Sequence, residues 1–236
     1  MDVMGDITTR LRELRAADAD RRLFGARSHD YRVGGPVDEA ELEELERRVG
    51  ARLPEGYREF LTAVGDGAPG PYYGILPLAE ATSRVTGTWG AEALGADSPL
   101  DSDVDFRHML GGPGTWNRHV ARLGSDPSYA AGFERLQAEY SGAPWANGRL
   151  PVADHGCGDW FFLVLRGPRR GSMWVDSLDS ATGLYCLETD FLTWYVRWLD
   201  DALERTASGD FGPVHDPHPT LRFGDSTRNP WTSRRR

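Results

Sequence analysis

The chain has 236 residues and a formal net charge of −9, and all 27 of its basic residues are arginine. Without lysine, the protein cannot form a Schiff base, use a Ser-Lys dyad or hold a nucleotide with a Walker lysine. The excess of acidic residues also argues against general nucleic-acid binding, because the phosphate backbone attracts basic surfaces.

Cysteine content and hydropathy exclude further classes of protein. Only Cys157 and Cys186 occur, too few for a disulfide framework or a four-cysteine zinc site. No apolar run is long enough to span a membrane. The first residues carry aspartate and arginine where a secretory signal needs an apolar core. We therefore expect a cytoplasmic protein with neither nucleic acid nor membrane as a partner.

Residues 1–37 are predicted to form an amphipathic helix followed by a linker. Ile7, Leu11 and Leu14 recur at helical spacing and mark the buried side of that helix. Asp38 then caps a second helix, which ends at Gly50. The inward-facing positions of this second helix are predicted to be Leu42, Leu45 and Val49.

The stretch from Leu53 to Leu78 is predicted to be the centre of the fold. Pro54 can open a helix because its missing N–H is one that the first turn leaves unpaired. Gly65 suits the end of that helix, and a loop rich in glycine and proline follows. We predict a strand from Tyr72 to Leu78. Because this loop leaves a helix and enters a strand, it is not a phosphate-binding loop. The helix has one apolar face, formed by Tyr57, Phe60, Leu61 and Val64.

Residues 80–148 are predicted to form an irregular, partly helical insertion that packs outside the sheet. Within it, 97–108 reads as an acidic surface loop, whereas 129–140 has the 3.6-residue period of a helix. Strand signals return after residue 148 and include the continuous apolar run 160–166. Strands are predicted at 149–153, 160–166, 173–178 and 184–187.

The chain is predicted to end in a helix and a tail. Asp190 is placed to cap the helix, whose aromatic face is a core stripe, and 205–236 is predicted to be an extended tail. The fold class is therefore α+β, with a mixed, mainly antiparallel sheet wrapped by helices. We predict one domain over 38–204 that contains the insertion at about 80–148.

This order of elements resembles the SUKH superfamily and, more narrowly, its Smi/Knr branch. The resemblance covers roughly 38–82 and 149–204, and the insertion is unmatched. One departure is Asp66, where the family often has asparagine. The residues that carry the resemblance are Leu42, Glu46, Gly50, Leu53, Pro54, Tyr57, Phe60, Leu61, Gly65, Gly67, Gly74, Ile75, Pro77 and Leu78, with weaker matches at Gly156, Gly158, Asp159, Trp174, Val175, Phe191, Tyr195 and Leu199.

The resemblance implies a protein that binds other proteins rather than an enzyme. Bacterial members are widely immunity proteins, which neutralise toxins of contact-dependent or polymorphic systems, and fungal relatives act in cell-wall regulation. The resemblance therefore implies no catalytic residues and no cofactor. The acidity of the chain suits a basic toxin domain as the partner. A housekeeping scaffold or regulator of cell-wall-related processes is the alternative within this class.

A metal-dependent enzyme is the alternative from another class. Asp154, His155, Cys157 and Asp159 place four possible zinc ligands within six residues. They lie on one extended segment, however, whereas a tetrahedral site normally draws its ligands from separate segments. Neither HExxH nor GxSxG occurs in the chain. A polar turn is therefore the preferred interpretation, and no metal site is predicted.

Two stretches combine aromatic and acidic residues, as a protein-binding face requires. One contains Asp66 with Pro71, Tyr72 and Tyr73 at the glycine loop. The other contains Asp159 and Trp160 at the start of the late strand. Both stretches lie at strand entries, so the fold can bring them to one rim. Because successive strand residues face opposite sides, one residue of each adjacent pair can instead belong to the core.

Overall fold

The computed structural model describes residues 2–111 and 116–211, so the greater part of the predicted tail lies outside the described residues. The described chain forms an α+β fold around one five-stranded sheet, with strand order β1-β5-β4-β3-β2. Every neighbouring pair of strands is antiparallel. The strands are β1 (Val104–Asp105), β2 (Arg149–Gly156), β3 (Asp159–Val164), β4 (Ser172–Ser177) and β5 (Gly183–Asp190).

Helices cover both faces of this sheet. Those before the first strand are α1 (Val3–Ala17), α2 (Ala26–His29), α3 (Glu39–Val49), α4 (Glu55–Ala63), α5 (Leu78–Trp89) and α6 (Glu92–Gly95). Those after it are α7 (Phe106–Met109), α8 (Trp116–Ser125), α9 (Pro127–Tyr140), α10 (Ala143–Ala146) and α11 (Phe191–Ser208).

The caps predicted at Asp38, Gly50 and Asp190 are confirmed. The Asp38 carboxylate accepts a hydrogen bond from the Glu41 N–H at 3.0 Å at the start of α3. Gly50 ends the same helix with a φ of 71°, the left-handed conformation that glycine adopts without strain. Asp190 caps α11 by accepting from the Thr193 N–H at 2.8 Å.

The sheet separates two hydrophobic clusters, which explains the continuous apolar run in β3. Phe161 and Leu163 face the larger cluster, which α1, α3, α4 and α11 cover. Phe162 and Val164 face the smaller cluster on the other side, where α9 contributes Phe133. Since both faces of the strand are buried, polar alternation is absent from its sequence.

The predicted strand from Tyr72 to Leu78 is wrong. Ile75 forms only isolated bridges, to Ala68 and Ala153. The backbone turns at Tyr72, whose φ is 55°, and again at Gly74, whose φ is 99°, so the chain cannot stay extended.

The insertion contributes to the sheet, contrary to the prediction that it packs outside. Strand β1 pairs with β5, with Val104 opposite Leu184. The surface loop predicted at 97–108 is therefore also wrong, because Val104 is 7% exposed and Phe106 is fully buried. Both side chains belong to the smaller cluster. Asp103 and Asp105 flank Val104 and gave this stretch the appearance of an acidic loop.

Candidate protein-binding surface

Asp66 and Pro71 support the local structure more than they project from it. The Asp66 carboxylate accepts a hydrogen bond from the Leu78 N–H at 2.6 Å and so caps the start of α5. Pro71 is buried. It lines a pocket together with Phe24 and Tyr72, and α11 contributes Trp198 to the same lining.

The two members of the second predicted stretch have opposite surroundings. Asp159 is 1% exposed, and its carboxylate lies 3.9 Å from the Nδ1 atom of His155. Trp160 is half-buried and carries the Arg84 guanidinium 4.2 Å above its ring. Because Asp159 is buried, it supports the surface from beneath, whereas Trp160 is partly exposed to solvent.

Burial also affects a charged pair in the two strands that flank β3. Arg149 in β2 and Asp176 in β4 approach to 3.1 Å. Burial lowers the pKa of the Arg149 guanidinium, and burial likewise raises the pKa of the Asp176 carboxyl, while the mutual attraction opposes both changes. Other side chains cover most of this pair, so it belongs to the interior of the sheet and not to an exposed binding surface.

The fold brings the glycine loop and the β2–β3 turn together. The Tyr72 ring stacks on His155, with 4.1 Å between ring centroids. The Tyr73 N–H donates to the carbonyl oxygen of Asp154 at 3.3 Å. Gly156 leaves room for the Tyr73 ring, because a Cβ atom on Gly156 would lie 2.7 Å from Tyr73 Cε2. The glycine loop and the β2–β3 turn are therefore adjacent in the fold, which the sequence alone could not establish.

Phe24, which the sequence interpretation did not single out, completes this cluster. Its ring lies 5.5 Å from Tyr72 and 5.8 Å from Tyr73. Phe24 is 45% exposed and Tyr73 is 41% exposed, whereas Tyr72 is half-buried. We call Phe24, Tyr72, Tyr73 and His155 the aromatic face. No periodic pattern marks Phe24, and the only available signal is a large apolar residue beyond Leu14, the last buried position predicted for the first helix.

The β2–β3 turn does not gather its four candidate ligands into a metal site. The Asp154 carboxylate accepts from the Gly156 N–H at 2.7 Å, within the turn itself. His155 stacks in the aromatic face, and Cys157 is exposed at the tip. Across residues 2–111 and 116–211, no group of three or more histidine, cysteine or acidic side chains is placed to hold a metal ion.

The aromatic face is suited to association with a protein. Rigid aromatic side chains supply buried area at a low cost in conformational entropy, and they are enriched among the residues that dominate interface energies. Among the helices in the described parts of the chain, none is both long and apolar enough to cross a bilayer.

The chain matches a known protein family. The family described as the SMI1 / KNR4 family (SUKH-1) matches residues 36–195, which run from just before α3 into α11. The matched range includes Tyr72, Tyr73 and His155 but excludes Phe24. No curated protein and no solved structure matches the chain.

Proposed function

Because the chain belongs to the SMI1 / KNR4 family (SUKH-1), we propose that it is a non-catalytic protein-binding module of the bacterial cytoplasm. More narrowly, we propose an immunity protein that docks on a toxin of a polymorphic or contact-dependent system. The family match over residues 36–195 is the observation that carries this proposal. The aromatic face supports it by offering exposed aromatic rings on an ordered part of the fold.

Charge supports a basic domain as the partner. The family-matched range contains 13 arginines and 24 acidic residues, a net charge of −11. Such a field speeds the encounter with a positively charged protein and disfavours acidic partners.

We propose that Tyr72, Tyr73 and Trp160 make contacts with the partner. Asp66, Pro71 and Asp159, the other residues predicted from the sequence, would then hold the face from behind. Pro71 and Asp159 are placed behind the face because they are buried, and an interface residue must be reachable in the unbound protein unless the surface rearranges. Asp66 is placed there because its carboxylate is already engaged by the Leu78 N–H.

Protection of a host cell tests the proposal. The toxin-like domain of a secreted protein encoded beside this gene is expressed with and without the chain, and growth is measured. We expect the chain to restore growth and Tyr73→Ala to weaken the protection. Val120→Ser is the matched control, because Val120 is 48% exposed on α8 and lies outside the aromatic face. Toxicity that the wild-type chain leaves unchanged would refute neutralisation of that toxin and favour the housekeeping scaffold.

A further inference from the structure

The aromatic face is assembled from two separate parts of the chain. Tyr72, Tyr73 and His155 lie inside the family-matched range, whereas Phe24 belongs to the connection between α1 and α2. Phe24 is nevertheless the most exposed aromatic ring of the four. We call residues 18–33 the N-terminal arm.

A buried carboxylate holds the N-terminal arm in shape. Asp18 is 2% exposed and accepts hydrogen bonds from the Arg22 N–H at 2.7 Å and the Leu23 N–H at 3.1 Å. It also accepts from the Tyr31 hydroxyl at 2.6 Å, which joins the two ends of the arm. Hydrogen bonds to a charged acceptor are stronger than neutral ones, and a buried one is costly to remove.

The backbone of the N-terminal arm packs closely against the family-matched range at Gly25. Gly25 has a φ of 79°, and a Cβ atom there would lie 1.4 Å from the carbonyl oxygen of Tyr72. Only glycine allows this contact, which places Phe24 beside the two tyrosines. Because the arm is ordered before binding, Phe24 loses little conformational entropy when a partner covers it.

We propose that the N-terminal arm is a specificity-determining part of the partner-binding face, with Phe24 as its anchor and Asp18 as a positioning residue. This inference rests on the proposed function and names the partner surface as basic. Charge complementarity supports that choice, because the family-matched range that carries the other three rings has a net charge of −11, whereas the arm itself, with three aspartates and four arginines, contributes only +1. Residues outside the family-matched range then help to decide which basic domain is bound.

A phage-displayed library of random peptides, selected on the full-length chain, is the probe. We expect the selected peptides to carry net positive charge. Phe24→Ala and Tyr73→Ala should each weaken their binding by about tenfold, the loss typical of an aromatic anchor. Val120→Ser should leave their binding unchanged.

The outcomes separate this inference from the proposed function. Peptides that lose affinity with Tyr73→Ala but not with Phe24→Ala would overturn the role of the arm and leave the binding module intact. Selected peptides that are acidic or neutral would overturn the basic partner. An empty selection, or peptides insensitive to both substitutions, would overturn the arm together with the aromatic face as the binding surface, whereas the proposed function, which the family match carries, is tested separately by the growth assay.

The positioning role of Asp18 has its own readout in the unbound protein. Asp18→Ala should accelerate deuterium exchange at the Arg22 and Leu23 amides. It should also weaken the binding of the selected peptides, as Phe24→Ala does. Asp18→Asn, which keeps one carbonyl acceptor, should lie between wild type and Asp18→Ala. Asp20→Ala is the control, because Asp20 is exposed and lies only two residues away. Unchanged exchange and unchanged peptide affinity in Asp18→Ala would show that Asp18 does not position Phe24.

Discussion

Truncation of Phe60 should remove aromatic contacts that join α4 to α11. Phe60 is fully buried, and its ring centroid lies 5.2 Å from Phe191 and 4.7 Å from Tyr195, in edge-to-face geometry both times. Replacing a buried phenylalanine with alanine costs about 3–5 kcal/mol of unfolding free energy. Since each aromatic pair adds about 0.5–1.5 kcal/mol beyond area burial, we expect Phe60→Ala to fall in the upper half of that range.

Urea denaturation followed by tryptophan fluorescence measures this loss. The midpoint should fall while the slope of free energy against urea stays unchanged, because the same surface is exposed on unfolding. Phe24→Ala is the matched control, and its exposed ring should change the unfolding free energy by less than about 1 kcal/mol. Equal midpoints for the two variants would refute the conclusion that α4 and α11 share one core.

Three further predictions concern packing, charge and pH. Gly34→Ala would place a Cβ atom 1.8 Å from a backbone oxygen and should cost about 1–3 kcal/mol, whereas Gly35→Ala, with no atom within 4 Å, should stay within about 0.5 kcal/mol in thermal melts. Asp176→Asn leaves the buried Arg149 charge without its partner and should cost about 3–5 kcal/mol in chemical denaturation; a loss below about 1 kcal/mol would contradict the buried pair. Burial lowers the pKa of His29 to about 4, below its ordinary 6.5, so the unfolded chain binds the proton first and stability falls as the pH drops from 6.5 to 4. Protonation of His29 lowers the unfolding free energy by about 3 kcal/mol at most. If burial of His29 causes this loss, His29→Gln should make the unfolding free energy less dependent on pH between 6.5 and 4.

Local patterns predicted much of the fold because they act over a few residues. The helix from Asp38 to Gly50 has its cap, its apolar spacing and its stop within one short stretch. The late hairpins were likewise predictable, since apolar runs of strand length alternate with glycine-containing turns. In both cases the residues that determine the conformation are neighbours in the sequence.

Predictions failed where conformation depends on distant partners. Residues 72–78 have the composition of a strand, but two positive φ angles turn the backbone before an extended ladder can form. Strand β1 was missed because two residues carry almost no periodic signal and become a strand only by pairing with β5. The side to which Asp159 and Trp160 point was also not predictable, since it depends on what packs over each face of β3.

The sequence by itself determined the family, the helices, the central hairpins and the aromatic residues available for binding. Only the tertiary structure decided which of those residues share a surface. Phe24 and Tyr73 are separated by 49 positions, and no local propensity links them. They meet because Asp18 folds the N-terminal arm and Gly25 lets its backbone lie against Tyr72. The exposure of a side chain and its adjacency to another depend on packing between distant segments. Both are therefore defined only in the folded chain.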